Sequence, residues 1–301
     1  MTALDLTRQP PAISSKPDKP APLTLRGLRF MFAKLGPVFP GPFGNLAYRL
    51  WFSPQRKQQS KAGLKLLNQA TETYHLMVAK RKVPVYVWGE SGPTVLLVHG
   101  WAGRTTQFRE FVPPLLAQGY RVIGFDAPGH GNAQGRTTNL DEIRYIIATI
   151  AAGEDALHGI IAHSFGAIST AFSMSAGVVA NKIVLLNGAC RYRELVRTYQ
   201  QMLHLPQAVV EKLIAKTRQN FAHWPKDLEE MMDVDRNPPA FPMAAMVIHD
   251  QDDPVVPLDQ GELIAKSWPN TQWVTTSGLG HSKILSNQDV VQKVCQFLTQ
   301  S

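Results

Sequence analysis

With 301 residues and 44% hydrophobic content, the chain can bury a full core, and one large α/β domain is expected. Two cysteines, Cys190 and Cys295, exclude a disulfide framework and fit a reducing compartment. The net charge of +8 is lopsided, with 14 Lys and Arg against 4 Asp and Glu in residues 1–90, and 17 against 19 thereafter; without a reader motif this gives no nucleic-acid partner.

Residues 1–22 read as a Pro-rich, disordered tail with Pro10, Pro11, Pro17, Pro20 and Pro22. The tail lacks a basic start, an apolar h-region and a cleavage site, so no signal peptide is expected and the expected location is cytoplasmic. Residues 23–82 form a basic, apolar N-terminal extension. Within it, 25–35 is a basic amphipathic helix candidate, 39–43 a Pro/Gly turn, and 46–52 an apolar, aromatic stretch. Gly36, Pro37, Pro40, Gly41, Pro42 and Gly44 preclude a single membrane-spanning helix. Two readings stay open. Either these helices pack on the rest of the protein, or their Phe, Leu and Trp side chains, flanked by Lys and Arg, make peripheral contact with an anionic membrane.

Beyond residue 83, apolar strands at 94–99, 121–126, 158–163, 182–187, 243–249 and 271–276 alternate with helical segments. That alternation predicts a mainly parallel, doubly wound sheet. Between 187 and 243 lie about 55 residues, more than a crossover needs. There, 193–203, 206–222 and 227–232 read as short helices with Pro breaks.

Five motifs sit at strand ends. Val98-His99-Gly100-Trp101 closes the first strand, and Phe125-Asp126-Ala127-Pro128-Gly129-His130-Gly131 the second. Ala162-His163-Ser164-Phe165-Gly166 turns from strand to helix with a hydroxyl at its apex and small residues two before and two after. His249-Asp250-Gln251-Asp252-Asp253-Pro254 follows a later strand, and Gly278-Leu279-Gly280-His281 follows the last. In this order the motifs resemble the α/β-hydrolase family, from about residue 83 to the C-terminus. The resemblance implies an α/β-hydrolase core at 83–187 and 243–301, interrupted by a helical cap at 188–242.

It also implies a triad. Ser164 would be the nucleophile, His281 the base that takes its proton, and Asp253 the carboxylate that orients His281. The backbone N–H groups of Trp101 and Phe165 would form the oxyanion hole. Asp250 follows its strand too closely to turn back toward His281, and Asp252 should point the other way. The end of the preceding strand, at Asn187, carries no carboxylate. His99 and His130 are expected to shape the floor of the site, and the His163 ring to pack beside the Ser164 turn.

The function implied is a serine hydrolase cleaving a carboxylic ester of a small-molecule acyl substrate through an acyl-enzyme. A thioesterase, amidase, acyltransferase or C–C hydrolase would use the same machinery, and an idle fold serving as a binding protein is the alternative of another class. A serine at 164, in place of aspartate, speaks against dehalogenase and epoxide hydrolase chemistry. No cofactor or metal is expected. The histidines lack metal-ligand spacing, and Gly129-x-Gly131-x-x-x-Gly135 has the wrong third spacing for a dinucleotide loop.

Overall fold

A computed structural model of the chain describes residues 22–239 and 243–300. The expected tail at 1–22 therefore lies, but for Pro22, outside the described residues. The chain opens with three helices, α1 (Leu23–Leu35), α2 (Pro40–Trp51) and α3 (Lys61–Leu67). Then come β1 (Glu72–Val78), β2 (Arg81–Trp88), β3 (Thr94–Val98), α4 (Val112–Ala117), β4 (Arg121–Phe125) and α5 (Leu140–Ala152). Next follow β5 (Leu157–His163), α6 (Phe165–Ser175), β6 (Ala180–Leu186), α7 (Tyr192–Leu203), α8 (Gln207–Asn220) and α9 (Leu228–Met232). The chain ends with β7 (Ala244–Asp250), α10 (Leu258–Ser267), β8 (Thr271–Thr276), α11 (Gly280–Lys283) and α12 (Gln288–Thr299).

The chain divides into two compact units, one of residues 53–190 and 232–301, the other of residues 1–52 and 191–231. The first holds an eight-stranded sheet in the order β1-β2-β4-β3-β5-β6-β7-β8. β1 and β2 join it antiparallel, and every pairing from β4 to β8 is parallel. The fold is the expected doubly wound, mainly parallel sheet. Parallel strands covered on both faces read as unbroken apolar runs, which is why β3 to β7 were visible in the sequence. On one face, Val95, Leu97, Val122, Ile161, Val184, Leu186 and Ile248 pack with Phe108, Phe111 and Leu115 around α4 and with Val290, Val294 and Phe297 of α12. The opposite face, including Leu96, Val98, Ile160 and Leu185, is equally dry, and α5, α6 and α10 pack on its strands.

The sheet begins earlier than the expected boundary at residue 83, because β1 and β2 form an antiparallel hairpin at its edge. β1 leaves most of its side chains in solvent and so carries no apolar run to read.

The second unit is helical. α2 lies along α8, and α1 contacts α7 and α2. The Tyr199 hydroxyl donates to the Ala47 carbonyl at 2.9 Å, and the Trp51 ring meets Tyr199 edge-on at 4.9 Å. Helices α1 and α2 of the expected extension thus find partners in the 191–231 insertion, while its remainder from residue 53, with α3, belongs to the first unit; the union joins segments about 140 residues apart that local sequence does not announce.

Candidate active site

Strands β3, β5, β6, β7 and β8 end along one edge of the sheet, and the chain order reverses there: β4 lies on one side of β3 and β5 on the other. Such a switch point leaves a crevice beyond the carboxyl ends of the strands. All five residues singled out from the sequence lie in the turns and helix starts that follow strands on this edge.

Ser164 joins β5 to α6 with φ +56° and ψ −121°, a left-sided conformation costly for a residue bearing a Cβ. It heads α6 yet makes no N-cap hydrogen bond, so the hydroxyl is not used to terminate the helix. The turn is compressed. A Cβ on Gly166 would stand 2.4 Å from the Val98 carbonyl, and one on Gly100 would stand 2.7 Å from Ser164 Cβ. The backbone from β3 and the Ser164 turn can therefore meet only through glycine.

His281 is the second residue of α11, the short helix after β8. Its Nδ1 lies 2.7 Å from Asp253 Oδ2, and the Asp253 side chain is fully buried. The carboxylate can only accept, so Nδ1 carries the hydrogen and Nε2 presents its lone pair. Asp253 is itself held, because Oδ1 accepts from the Val255 and Val256 N–H groups at 2.7 and 3.0 Å. An imidazole fixed in this tautomer can accept a proton at Nε2 and be stabilised as imidazolium.

The neighbouring carboxylates have other partners. Asp252 Oδ2 accepts from the Gly278 N–H. Asp250 does turn back toward His281, contrary to expectation, but it holds backbone instead of the ring. Its two oxygens accept from the N–H groups of Asp252, Leu279 and Gly280 and from the Thr276 hydroxyl, at 2.7–3.1 Å. Burial alone would raise the Asp250 pKa, but these four donors outweigh it and hold the carboxyl below its ordinary value.

Asn187 completes the clasp. At the end of β6, fully buried with φ +44°, it donates from Nδ2 to the Gly280 and His281 carbonyls at 3.0 and 3.3 Å. Its Oδ1 accepts from the Asp250 N–H at 2.8 Å. The position read from sequence as lacking a carboxylate is thus occupied by an amide that grips the His281 loop. Asn at the end of an apolar strand, tolerant of positive φ, is the one local signal that points to it.

His163 adds a third grip. Its Nε2 donates to the His281 carbonyl at 2.8 Å, and the two rings lie 4.7 Å apart. Burial, with the nearby His281, pushes its pKa down to about 3. His130 is likewise held at about 3 by burial, and its Nδ1 donates to the Pro128 carbonyl. His99 bridges two turns, donating from Nδ1 to the Gly100 carbonyl and accepting from the Ala127 N–H at Nε2. These three rings are neutral structural struts.

Their neutrality has a consequence for stability. An unfolded chain protonates such histidines near pH 6.5, whereas the folded one refuses the proton until about pH 3, so acid favours unfolding. His163 and His130 should each cost about 2 kcal/mol of stability between pH 7 and pH 5. Urea midpoints at the two pH values check this, and His163→Gln should lose less on acidification than the wild type. Equal losses would contradict a neutral His163.

Trp101 is partly exposed, with its ring edge-on to Phe165 at 5.7 Å and to His130 at 5.4 Å. Neither the Trp101 nor the Phe165 backbone N–H has a hydrogen-bond partner among the described residues. The Phe165 donor belongs to the first turn of α6, whose dipole favours negative charge. Among the described residues no group of three or more His, Cys, Asp or Glu is arranged to hold a metal ion.

A family model described as the alpha/beta hydrolase family matches residues 95–293. A serine hydrolase-like protein of Danio rerio is 30% identical over 128 residues, 40% of this chain and 39% of that protein. A serine hydrolase-like protein of Homo sapiens is 29% identical over 110 residues, 33% of this chain and 52% of that protein. The chain therefore spans only about two-fifths to half the length of these curated relatives. Among solved structures, an esterase from Exiguobacterium antarcticum superposes with a TM-score of 0.58 at 17% identity, covering 76% of this chain and 100% of that one. A meta-cleavage product hydrolase from Pseudomonas fluorescens IP01 gives 0.56 at 19% identity, covering 76% and 98%.

Proposed function

Because the chain belongs to the alpha/beta hydrolase family, we propose that it is a serine hydrolase cleaving a carboxylic ester through an acyl-enzyme. The observation that carries this reading is the buried Asp253 carboxylate bonded to His281 Nδ1, which leaves Nε2 as the basic face of the ring. The strained Ser164 turn and the curated serine hydrolase-like relatives support it.

In this mechanism Ser164 Oγ attacks the ester carbonyl as its proton passes to His281 Nε2. The carbonyl π electrons move onto oxygen, and the Phe165 and Trp101 N–H groups stabilise the oxyanion. The tetrahedral adduct collapses, and the departing alkoxide takes the proton from His281. Water then attacks the acyl-enzyme with His281 again as base, releasing the acid and restoring Ser164. Asp253 keeps the imidazole oriented and stabilises its cation throughout. The reading needs no cofactor.

A fluorophosphonate probe and p-nitrophenyl esters from acetate to palmitate test it. Labelling and turnover that both vanish in Ser164→Ala are expected, and the preferred chain length then sizes the acyl pocket. A folded protein that resists the probe would sink the reading and leave an idle fold. Labelling without ester turnover would move the substrate to a thioester, an amide or a C–C bond. Gly100→Ala should also lower turnover by about 100-fold, because its new Cβ displaces the Ser164 turn. Unchanged turnover in that variant would mean that the turn absorbs the clash.

A further inference from the structure

Helix α1 has apolar side chains on both of its faces. Its inward stripe, Leu25, Leu28 and Phe32, follows helical spacing, with Phe32 fully buried and edge-on to Phe43 at 5.6 Å. Arg29 Nε donates to the Met202 carbonyl at 2.7 Å, tying α1 to α7. The helix therefore already has its folding partners on that side.

The outward face of such a helix should be polar. Here it carries Leu23, Phe30, Met31 and Leu35, followed at once by Val38 and Phe39, and four of these six side chains are more than half exposed. They account for six of the fourteen exposed large apolar side chains among the described residues, concentrated in residues 23–39. Arg26 and Lys34 are exposed among them. From Lys19 to Thr71 the sequence has no Asp or Glu.

From this combination we infer that the exposed face of α1 and the turn after it, through Phe39, dock on a lipid surface with anionic headgroups. Aromatic and long aliphatic side chains would enter the acyl boundary, while the guanidinium and ammonium groups beside them meet phosphates. A bilayer fits better than a protein partner. The anchors project from a helix surface instead of lining a groove, and the cations among them, in a stretch without Asp or Glu from Lys19 to Thr71, complement anionic headgroups. No helix among the described residues is long and apolar enough to cross a membrane, so α1 would lie in the interface plane.

The inference is independent of the hydrolase reading and is tested without activity. The full chain is sedimented with vesicles of phosphatidylcholine alone and with about one-third phosphatidylglycerol added. Binding to the anionic vesicles, weaker at about 0.5 M salt, is expected. Phe30→Ser with Phe39→Ser should cut the partition about tenfold or more, since each removes an inserting aromatic ring. Arg26→Glu with Lys34→Glu should reduce binding to the level seen with neutral vesicles. All four side chains are outward, so the melting temperature should hold. Failure of the wild type to bind anionic vesicles overturns the inference, as does undiminished binding by the Ser pair. A wild-type dimer that ignores lipid and becomes monomeric in the Ser pair also overturns it, assigning the face to a second copy.

Discussion

Ser164→Ala is expected to lower kcat for the best p-nitrophenyl ester by about 10⁴- to 10⁶-fold with KM little changed. The hydroxyl is the group that would form the covalent bond, and no other side chain in the turn offers a substitute nucleophile. His281→Ala should lose about as much, and the double variant no more, because the two act as a unit. Asp253→Asn should cost about 10⁴-fold, since an amide beside Nδ1 favours the wrong tautomer. The fold should survive each change. Ser164→Gly separates strain from chemistry, because glycine adopts φ +56° without the steric cost that serine bears there. It should be as inactive as Ser164→Ala and more stable by about 1 kcal/mol in urea unfolding. A Gly variant no more stable than the wild type would remove the case for a strained turn, and an active Ala variant would remove Ser164 from the reaction.

Asp250→Ala should produce the second largest effect, on stability and turnover together. Its carboxylate accepts four part-buried hydrogen bonds, from Asp252, Leu279, Gly280 and Thr276. Removing it leaves donors without acceptors, at a cost of about 3–5 kcal/mol. Loss of grip on Leu279 and Gly280 should also let the His281 ring wander from Asp253. Asp250 is a positioning residue, so the expected signature is a kcat about 100-fold lower with KM nearly unchanged. Loss of the low-field proton resonance of the His281–Asp253 hydrogen bond would mark the same displacement. Asn187→Ala should weaken the loop from its carbonyl side, with a smaller loss. A folded Asp250→Ala protein with wild-type kcat and an intact resonance would show that the clasp is dispensable.

The legibility of the central strands follows burial, although β8 was readable without a fully buried residue and the largely buried β2 was not. β3 to β7 were readable because both faces of the sheet are covered, so these strands are apolar along their length. β1 was not, since an edge strand in solvent needs no apolar period. The elbow around Ser164 was readable because its geometry demands small residues at fixed offsets, a local constraint.

The clasp of the His281 loop was harder to see. Asn187, Asp250 and Gly280 converge from segments 30 to 93 residues apart, and hydrogen bonds between a side chain and distant backbone impose no pattern on either segment. The sequence therefore set the layered sheet, the order of the motif-bearing strand ends and the residue types gathered on one edge. Tertiary structure alone decided that Asp250 takes the backbone behind the imidazole, whose orienting carboxylate the resemblance had already placed at Asp253. It alone also paired α1 and α2 with the 191–231 insertion. The physical reason is range. Periodicity and turn sterics act within a few residues and leave a trace there, whereas the choice of a distant partner depends on where the rest of the chain puts its surfaces.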